Sequence, residues 1–434
     1  MKRELYKELL KWKNDNNRKP LVLQGARQVG KTYLLKQFAQ KEYSQFIYLN
    51  FEQDFELQEV FNNSLKPKKI IKDLELLFGK KIQEKTTLIF FDEIQASEQA
   101  LKSLKYFYEE APRFHIVAAG SLLGVAINKT RSFPVGKVTF LEMYPLSFNE
   151  YLKAFDEEML ADHINNMKSG DHLSEAVHNK LLDYFKTYLY IGGMPEVLQS
   201  YLTKRNIIRV RQIQKDIIKA YENDFSKYTT RIQTMKNMEV WASIPTQLAK
   251  ENKKFKYSDV KSKARASSYE LSIDWLKRAG LLNIAYNIST PKLPLAGYVN
   301  EAKFKLYIID TGLLGALLNL GSEIIIKPNQ LYKEYNGAFI ENFVAMEFSR
   351  MGQNKLFYWT SRGEAEVDFI IEKNHKVYPL EVKSGTSKNL KSLRSYEQKY
   401  KPEYIIRTSP RNYFQQDEFI NIPLYAVSSV YNFI

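Results

Sequence analysis

Short apolar runs alternate with amphipathic helical patterns over the first 150 residues. Each run is four to six residues long and is bounded by polar or turn-forming residues, as expected for a buried strand. Strands separated by helices pair in parallel and are covered on both faces, so they lose the polar alternation of half-exposed strands. The pattern therefore predicts an α/β domain at residues 1–150, with strands at 21–24, 46–51, 88–91, 116–120 and 138–143.

The pattern changes after residue 150. Residues 151–230 have helical periodicity, and the sequence Ile-Gly-Gly-Met-Pro at 191–195 must end one helix and begin the next. Residues 235–300 predict three short helices, the last at 267–279, and then a two-stranded wing, which is the order of a winged helix-turn-helix. From about residue 330 the order is helix, strand, strand, helix.

The first predicted strand leads directly into G-x-x-x-x-G-K-T and then into a helical pattern. In this context the glycines let successive N–H groups curl around a phosphate, and the helix N-terminus adds a positive end. Lys31 is expected to reach the β- and γ-phosphates, and the Thr32 hydroxyl to hold Mg²⁺. The spacing predicts ATP and Mg²⁺ as cofactors, bound by Gly25, Ala26, Arg27, Gln28, Val29, Gly30, Lys31, Thr32 and Tyr33.

A second nucleotide motif follows the buried strand at 88–91. Asp92 is expected to bind Mg²⁺ through water, and Glu93 to polarise the attacking water as a general base. The alternative is an exposed acidic pair that caps the next helix. Ser121 follows the next strand and is expected to sense the γ-phosphate, unless it caps the helix after it. Lys31, Glu93 and Ser121 are thus the predicted catalytic residues of this domain.

Charge stabilisation in phosphoryl transfer usually needs an arginine, often from a neighbouring subunit. Arg131 and Lys137 lie between the fourth and fifth predicted strands and are candidates, with a solvated surface charge as the alternative for each. His115, at the start of the fourth strand, is expected to be a packing or surface residue rather than a catalyst.

An independent cluster of acidic residues is predicted near the C-terminus. Asp368 lies on one strand pattern, and Glu381 and Lys383 are two residues apart on the next, so they face the same side. A helical pattern upstream could bring Glu341 to the same place. Carboxylates with a lysine form a Mg²⁺-dependent phosphodiesterase site, in which Glu341, Asp368 and Glu381 hold the metal and Lys383 orients the nucleophile. The alternative is an ordinary cross-strand salt bridge.

The net charge of +15 is concentrated in the middle of the chain. Residues 201–300 hold 19 Lys and Arg against 8 Asp and Glu, a net +11. This favours an acidic partner, with DNA first, although a biased genome composition would also give a lysine-rich chain. Lys261, Lys263 and Arg265 precede the predicted recognition helix and are expected to contact phosphates; Lys277 and Arg278 assist or only satisfy the helix dipole.

The chain contains no cysteine, which excludes disulfides and thiolate metal sites and fits a reducing, cytoplasmic setting. The N-terminus lacks the apolar core of a signal peptide, and no apolar run approaches 18 residues, so no membrane association is expected.

Together these motifs resemble a family of bacterial and archaeal AAA+ ATPases that carry an N-terminal P-loop ATPase and a C-terminal domain of unknown function. The resemblance covers nearly the whole chain. Its most specific blocks are LVLQGARQVGKTYLL, LIFFDEIQ, AAGSLLG, SFPVGKVTFLEMYPLSFNEYL, YIGGMPEV, FKLYIIDTGLL, GAFIENFVAMEF and EVDFII…PLEVKSG.

The resemblance implies an α/β fold with a P-loop AAA+ parallel sheet at 1–150, a helical lid or linker at 151–230, a winged-helix-like domain at 231–325 and a C-terminal α/β domain similar to PD-(D/E)xK nucleases at 326–434. It places Lys31, Thr32, Asp92 and Glu93 in the ATPase motifs, and Glu341, Asp368, Glu381 and Lys383 in the nuclease pattern. Ser121 stands where other AAA+ branches carry Asn or Thr.

Two functions follow as hypotheses. In the first, Mg²⁺-dependent ATP hydrolysis is coupled to DNA binding, and the C-terminal domain cleaves DNA. In the second, the ATPase is a nucleotide-dependent switch that grips a protein partner, and the nuclease-like domain is inactive. A small-molecule kinase is disfavoured because the Asp92-Glu93 pair favours hydrolysis, and assembly into a homo-oligomer is left open.

Overall fold

The computed structural model describes residues 1–121, 136–250, 252–321, 330–353, 355–361, 363, 365–385 and 389–434, with side chains except at residues 55 and 330–335. The described chain forms two compact units. The N-terminal unit comprises Lys2–Tyr144 and Arg278–Gly280, and the C-terminal unit comprises Pro145–Lys277 and Leu281–Ile434, with Met1.

The N-terminal unit is built on a five-stranded sheet in the order β2-β3-β4-β1-β5, and every neighbouring pair is parallel. The strands lie within one residue of the predicted ranges, so the expected α/β domain is confirmed. They are β1 (Leu21–Gln24), β2 (Gln45–Asn50), β3 (Thr87–Asp92), β4 (His115–Ala119) and β5 (Thr139–Glu142). The helices are α1 (Tyr6–Asn14), α2 (Lys31–Glu42), α3 (Phe55–Asn63), α4 (Pro67–Phe78) and α5 (Glu98–Glu110).

The core of this unit explains why the strands lie where they do. All six residues of β3 are buried, and the rings of Phe51, Phe61 and Phe91 meet edge to face beside it. A strand covered by helices on both faces needs such a continuous apolar run. Because the strands are parallel, their carboxyl ends lie at one edge of the sheet, where α/β folds place their ligands.

The C-terminal unit begins with long helices. The predicted break at 191–195 is confirmed, because one helix ends at Ile191 and the next begins at Pro195. The helices are α6 (Phe148–Ala154), α7 (Glu158–Asn166), α8 (Glu175–Ile191), α9 (Pro195–Lys204), α10 (Ile207–Tyr228), α11 (Arg231–Leu248), α12 (Tyr257–Val260), α13 (Ala266–Arg278), α14 (Thr311–Leu317), α15 (Gln330–Arg350) and α16 (Lys391–Tyr400).

Two sheets complete this unit. The first has the order β7-β6-β8-β9 and the second β10-β11-β12-β14-β13. The first consists of β6 (Leu282–Ile288), β7 (Val299–Ile308), β8 (Leu356–Thr360) and β9 (Glu366–Val367). The second consists of β10 (Phe369–Lys373), β11 (Lys376–Val382), β12 (Ile405–Ser409), β13 (Phe414–Gln416) and β14 (Phe419–Pro423).

Two expectations about this unit are corrected. The first of the three predicted short helices is the end of α11, which is 18 residues long. The predicted wing, β6 and β7, is antiparallel as expected, but β6 also pairs in parallel with β8 and so belongs to a larger sheet. The pattern missed β8, β12 and β14, because these strands are short and largely buried and lack a period of two, and it missed β13, which is only three residues long.

Among the described residues, no helix combines the length and the apolar character needed to cross a membrane.

Candidate functional site

The loop between β1 and α2 has the backbone of a phosphate cradle. Gly25 and Gly30 have φ of 144° and 97°, and Gln28 has φ of 64°, all in the region that favours glycine. A Cβ on Gly25 would lie 2.2 Å from the carbonyl oxygen of Met143. Met143 is fixed there because its N–H donates to the carbonyl of Gln24 at 2.8 Å. Only glycine therefore fits at the start of this loop.

Lys31 is folded back over the loop. Its Nζ donates to the backbone carbonyls of Gly25 at 2.9 Å and Ala26 at 2.7 Å, and the side chain is buried. Burial lowers the pKa of Lys31 to about 8, while the carboxylates of Glu93 and Asp92 act in the opposite direction. The loop thus holds a buried cation against its own carbonyl groups.

Thr32 and Asp92 meet as the sequence predicted. The Thr32 hydroxyl donates to both carboxylate oxygens of Asp92, at 2.9 and 3.2 Å. Tyr48, at the edge of β2, also donates to Asp92 at 2.8 Å, and burial together with this bond raises the pKa of the phenol. A hydroxyl and a carboxylate side by side are oxygen donors of the kind that Mg²⁺ prefers, so these residues fit a magnesium ion.

Glu93 and Ser121 also come together. The Ser121 hydroxyl donates to Oε2 of Glu93 at 3.5 Å, and Gln95 donates to both side chains. Arg27 donates from Nε to Ser121 at 3.1 Å. The capping alternative for the acidic pair is wrong, because Glu93 makes no capping bond and α5 is capped by Ser97. Tyr48 and Gln95 were missed by the sequence analysis; the only signal was that Gln95 follows the acidic pair.

The remaining predicted loop residues contribute mainly backbone. Ala26 and Val29 are buried, Gln28 is exposed and Tyr33 is 62% exposed on the first turn of α2. Lys137 forms an ion pair with Glu109 at 3.1 Å, whereas Arg131 and the helix that Ser121 would cap lie outside the described residues.

The acidic cluster of the C-terminal unit has a lysine at its centre. Lys305, on β7, is fully buried, and its Nζ lies 2.8 Å from Glu341, 2.7 Å from Glu366 and 3.7 Å from Asp368. Lys253 forms a second ion pair with Glu341. Tyr307 donates to Glu341 at 2.6 Å in addition. These ion pairs form what is called here the Lys305 network.

The charges of this network displace two pKa values in opposite directions. Burial opposes ionisation of Glu341, but the ammonium groups of Lys253 and Lys305 lower its pKa to about 2. Burial, reinforced by the charge of Glu341, raises the pKa of Asp368 to about 7. The network therefore contains one firmly ionised carboxylate and one that exchanges its proton near neutral pH.

Glu381 and Lys383 form a separate pair, 2.5 Å apart, as their spacing predicted. Asp368 contacts the backbone of this strand, because its carboxylate accepts a hydrogen bond from the N–H of Val382 at 2.8 Å. Within the described part of the chain, no three acidic or histidine side chains are grouped so that they could hold a metal ion. The ammonium of Lys305 lies among Glu341, Glu366 and Asp368, where a cation would bind, and Glu381 pairs with Lys383 instead, so the three predicted ligands do not surround one cation position in this arrangement.

The basic segment ahead of α13 is exposed, as a DNA-contacting surface requires. Lys263 and Arg265 are exposed, and Lys261 pairs with Glu239 at 3.2 Å. Acidic residues of α13, Glu270 and Asp274, also line a small pocket against the β6–β7 hairpin. Lys277 lines the same pocket, so this face of the predicted recognition helix carries both acidic and basic side chains.

Three family models match successive parts of the chain. Residues 17–152 match AAA_14, described as an AAA domain. Residues 182–324 and 336–427 match two domains of unknown function, DUF8612 and DUF4143. The match at 17–152 coincides with the sheet and loop described above, so the N-terminal unit has the α/β fold of AAA-type P-loop ATPases.

Two mycobacterial proteins match only part of the chain. The chain is 31% identical over 108 residues to an uncharacterized protein of Mycobacterium tuberculosis, Rv2008c, and equally to Mb2031c of Mycobacterium bovis. Each match spans about a quarter of this chain, 24%, and the same share of the relative.

Among solved structures, the Walker-type ATPase PABY2304 of Pyrococcus abyssi is 15% identical with a TM-score of 0.45, covering 73% of this chain and 95% of that one. AMPPCP-bound DnaA from Aquifex aeolicus is 12% identical with a TM-score of 0.27, covering 63% and 86%. With TM-scores below 0.5, neither likeness assigns a function.

Proposed function

We propose that the N-terminal unit binds and hydrolyses ATP, and that the chain uses this turnover in binding DNA. The observation that carries the proposal is that Thr32 contacts Asp92 and Glu93 contacts Ser121. Both contacts lie at the edge of the sheet where Lys31, at the start of α2, also lies. The match of residues 17–152 to an AAA domain supports it. The arrangement supplies a phosphate-binding loop with its lysine, oxygen ligands for Mg²⁺ and a general base, which are groups that phosphoryl transfer to water needs.

Each residue has a distinct part in the proposed reaction. The amides from Gly25 to Gly30 bind the phosphates. The Nζ of Lys31 leaves the backbone carbonyls of Gly25 and Ala26 and donates to phosphate oxygens instead. Thr32 and Asp92 would hold Mg²⁺, which when bound offsets phosphate charge. Glu93 accepts the proton of the attacking water, the P–O bond to ADP breaks, and inorganic phosphate leaves. Ser121, held by Arg27, is placed to register whether the γ-phosphate is present.

The ATPase assignment is tested by three variants. In Lys31→Ala, ATP binding and turnover should be lost; in Glu93→Gln, turnover should fall about 100-fold or more while ATP still binds, because only the proton acceptor is removed. Lys41→Ala is the matched control, since Lys41 is an exposed lysine in the last turn of the same helix. Phosphate release and equilibrium nucleotide binding are measured. Wild-type turnover in Lys31→Ala would refute the assignment.

The DNA part of the proposal is supported by charge. Residues 201–300 carry the net +11, and Lys263 and Arg265 are exposed there. Basic side chains bind the phosphate backbone of DNA without regard to sequence. ATP turnover measured with and without duplex DNA should differ several-fold if the two activities are coupled. Equal rates at saturating DNA would separate them.

A second candidate function is favoured by the Lys305 network. In this alternative the chain is a nucleotide-dependent switch that binds a protein partner, and its C-terminal unit does not cleave DNA. The buried Lys305 among Glu341, Glu366 and Asp368 supports it, because a metal site would need those oxygens.

Plasmid nicking in Mg²⁺, with and without ATP, distinguishes the two functions. Without a metal site, wild type and Lys383→Ala should give the same background. Nicking by wild type that is lost in Lys383→Ala would restore the nuclease hypothesis and remove the alternative.

A further inference from the structure

A cavity of about 500 Å³ lies toward the β13 edge of the second sheet. It is formed by β12, the β13–β14 hairpin and the first turn of α16. Its basic residues are Arg394, Arg407 and Arg411, and its aromatic residues are Phe414 and Phe419. This set of residues is called here the arginine pocket.

Arg407 is built into the pocket rather than lying loosely on its surface. It is 3% exposed, in the middle of strand β12, all of whose residues are buried. Its Nε donates to Asn421 at 2.8 Å, and its guanidinium lies 5.0 Å from the ring centre of Phe419. A hydrogen bond at Nε together with a ring beneath fixes the plane of the guanidinium.

A second guanidinium lies close by. Burial, and after it the charge of Arg411, lowers the pKa of Arg407, while the carboxylate of Glu381 acts in the opposite direction. A phosphate bound between the two guanidinium groups would offset their mutual repulsion. Arg394 adds a third guanidinium from α16, where it pairs with Glu397 at 2.6 Å. Arginine forks match the geometry of phosphate oxygens, which makes phosphate the anion that this arrangement suits.

The acidic residues Asp417 and Glu418 also line the cavity, so its formal charge is +1. Both carboxylates are exposed in the β13–β14 turn, whereas Arg407 is buried. Charges in water are screened much more than buried charges, so the buried Arg407 contributes more to the field inside the cavity than these two carboxylates do.

The cavity is larger than inorganic phosphate needs and has an aromatic side. The ring of Phe414 is 50% exposed, and its centre lies 6.4 Å from that of Phe419. Exposed rings beside arginines are the surfaces on which nucleobases stack. A volume of about 500 Å³ lies within the range of small-molecule sites.

We propose that the arginine pocket binds a nucleoside phosphate, with the phosphate on Arg407, Arg411 and Arg394 and the base against Phe414. The ligand is a free mononucleotide or the terminal nucleotide of a strand, which share this chemistry. Arg407 is the register partner of Glu381 in the neighbouring parallel strand, so the bound phosphate would lie on the face of the sheet that carries the Glu381–Lys383 pair. The site is independent of ATP binding by the N-terminal unit.

The test is carried out on the full chain in a Lys31→Ala background, so that the P-loop contributes no nucleotide binding. The probes are thymidine 5′-monophosphate, a short single-stranded oligonucleotide with a 5′-phosphate, and the same oligonucleotide with a 5′-hydroxyl. Calorimetry or fluorescence polarisation gives the affinities. Thymidine 5′-monophosphate should bind, and Arg411→Ala should weaken it about tenfold or more.

Further variants separate binding from folding. Arg407→Lys keeps the positive charge but loses the two-pronged guanidinium, so it should also weaken binding about tenfold. Phe414→Ala, at an exposed position, should weaken binding several-fold. Lys399→Ala is the matched control, because it removes a cation from another face of α16 and should bind as the background does. If Arg407→Lys does not fold, Arg411→Ala and Phe414→Ala, both at partly or largely exposed positions, still decide the result.

The probes also identify the source of the ligand. Phosphorylated oligonucleotide binding more than tenfold tighter than the mononucleotide supports a strand end, and equal affinity supports a free nucleotide. The proposal is overturned if neither phosphorylated probe binds, or if Arg411→Ala and Phe414→Ala bind thymidine 5′-monophosphate like the control.

Discussion

At the scale of single residues, Gly25 limits what the nucleotide loop tolerates. A methyl group there would lie 2.2 Å from the Met143 carbonyl oxygen, and φ of 144° is strained for any other residue. We predict that Gly25→Ala loses ATP binding, because either the loop or the end of β5 must move. Equilibrium binding of a fluorescent ATP analogue measures the loss.

Gly79 provides the control for this substitution. It also has a positive φ, 62°, but an added Cβ would meet nothing within 4 Å. Gly79→Ala should therefore cost only the backbone strain, about 1–2 kcal/mol, and leave ATP binding intact. If both variants bind ATP normally, the close approach at Met143 does not matter for the loop.

Lys305 is the second residue whose removal should have a large effect. In Lys305→Met the apolar stem remains, but Glu341, Glu366 and Asp368 lose their shared cation. Breaking a buried ion pair by removing one partner costs about 3–5 kcal/mol, so we predict a loss of that size in the free energy of unfolding. Urea denaturation followed by tryptophan fluorescence measures it, since Trp241, Trp275 and Trp359 lie in this unit.

Lys303 is two residues earlier on the same strand and is exposed, so Lys303→Met should change stability by no more than about 0.5 kcal/mol. Equal stability of the two variants would mean that the Lys305 network is not what holds these acids.

At the scale of elements, β4 begins with a histidine that folding keeps neutral. His115 is buried beside Trp12 and contacts the Tyr43 hydroxyl at 2.7 Å. Burial, followed by the charges of Arg18, Lys13 and Lys85, lowers its pKa to about 3. The unfolded chain takes up this proton near pH 6.5 and the folded chain does not, so stability is lost as the pH falls below that value.

Lowering the pH from 7 to 5 should reduce the free energy of unfolding by about 2 kcal/mol, because His115 is protonated only in the unfolded chain. Urea unfolding of His115→Gln should therefore show a pH dependence flatter by that amount than wild type. His375→Gln, at an exposed histidine in the β10–β11 turn, should keep the wild-type slope. Parallel pH profiles for wild type and His115→Gln would exclude the protonation effect.

The same elements show what sequence could predict. The strands of the N-terminal unit were placed within one residue, because each is an apolar run with a turn residue at its end. The meeting of Asp92 with Thr32 followed from parallel topology. Lys305 could not be predicted, because it comes from a strand 36 residues before Glu341 and nothing local marks it as buried. Arg407 had only a weak signal, a charge that directly follows two isoleucines, and no sequence motif includes it.

At the scale of the whole molecule, charge and nucleotide chemistry lie in different parts of the chain. The P-loop and its acidic partners lie within residues 17–152, which match the AAA domain. The net +11 lies within residues 201–300. A protein organised in this way should lose DNA binding without losing ATP binding when the basic residues of the second part are altered.

Salt dependence is the measurement that decides whether the basic segment contacts DNA. Each phosphate contact releases a bound counterion, so the logarithm of the affinity should fall steeply and linearly with the logarithm of salt concentration. Lys263→Ala should reduce that slope by about 1 and weaken binding for every sequence alike. Lys69→Ala removes an equal charge from an exposed site in the N-terminal unit and should leave the slope unchanged. A slope that is flat in wild type, or the same in Lys263→Ala as in wild type, would mean that the positive charge has a purpose other than DNA.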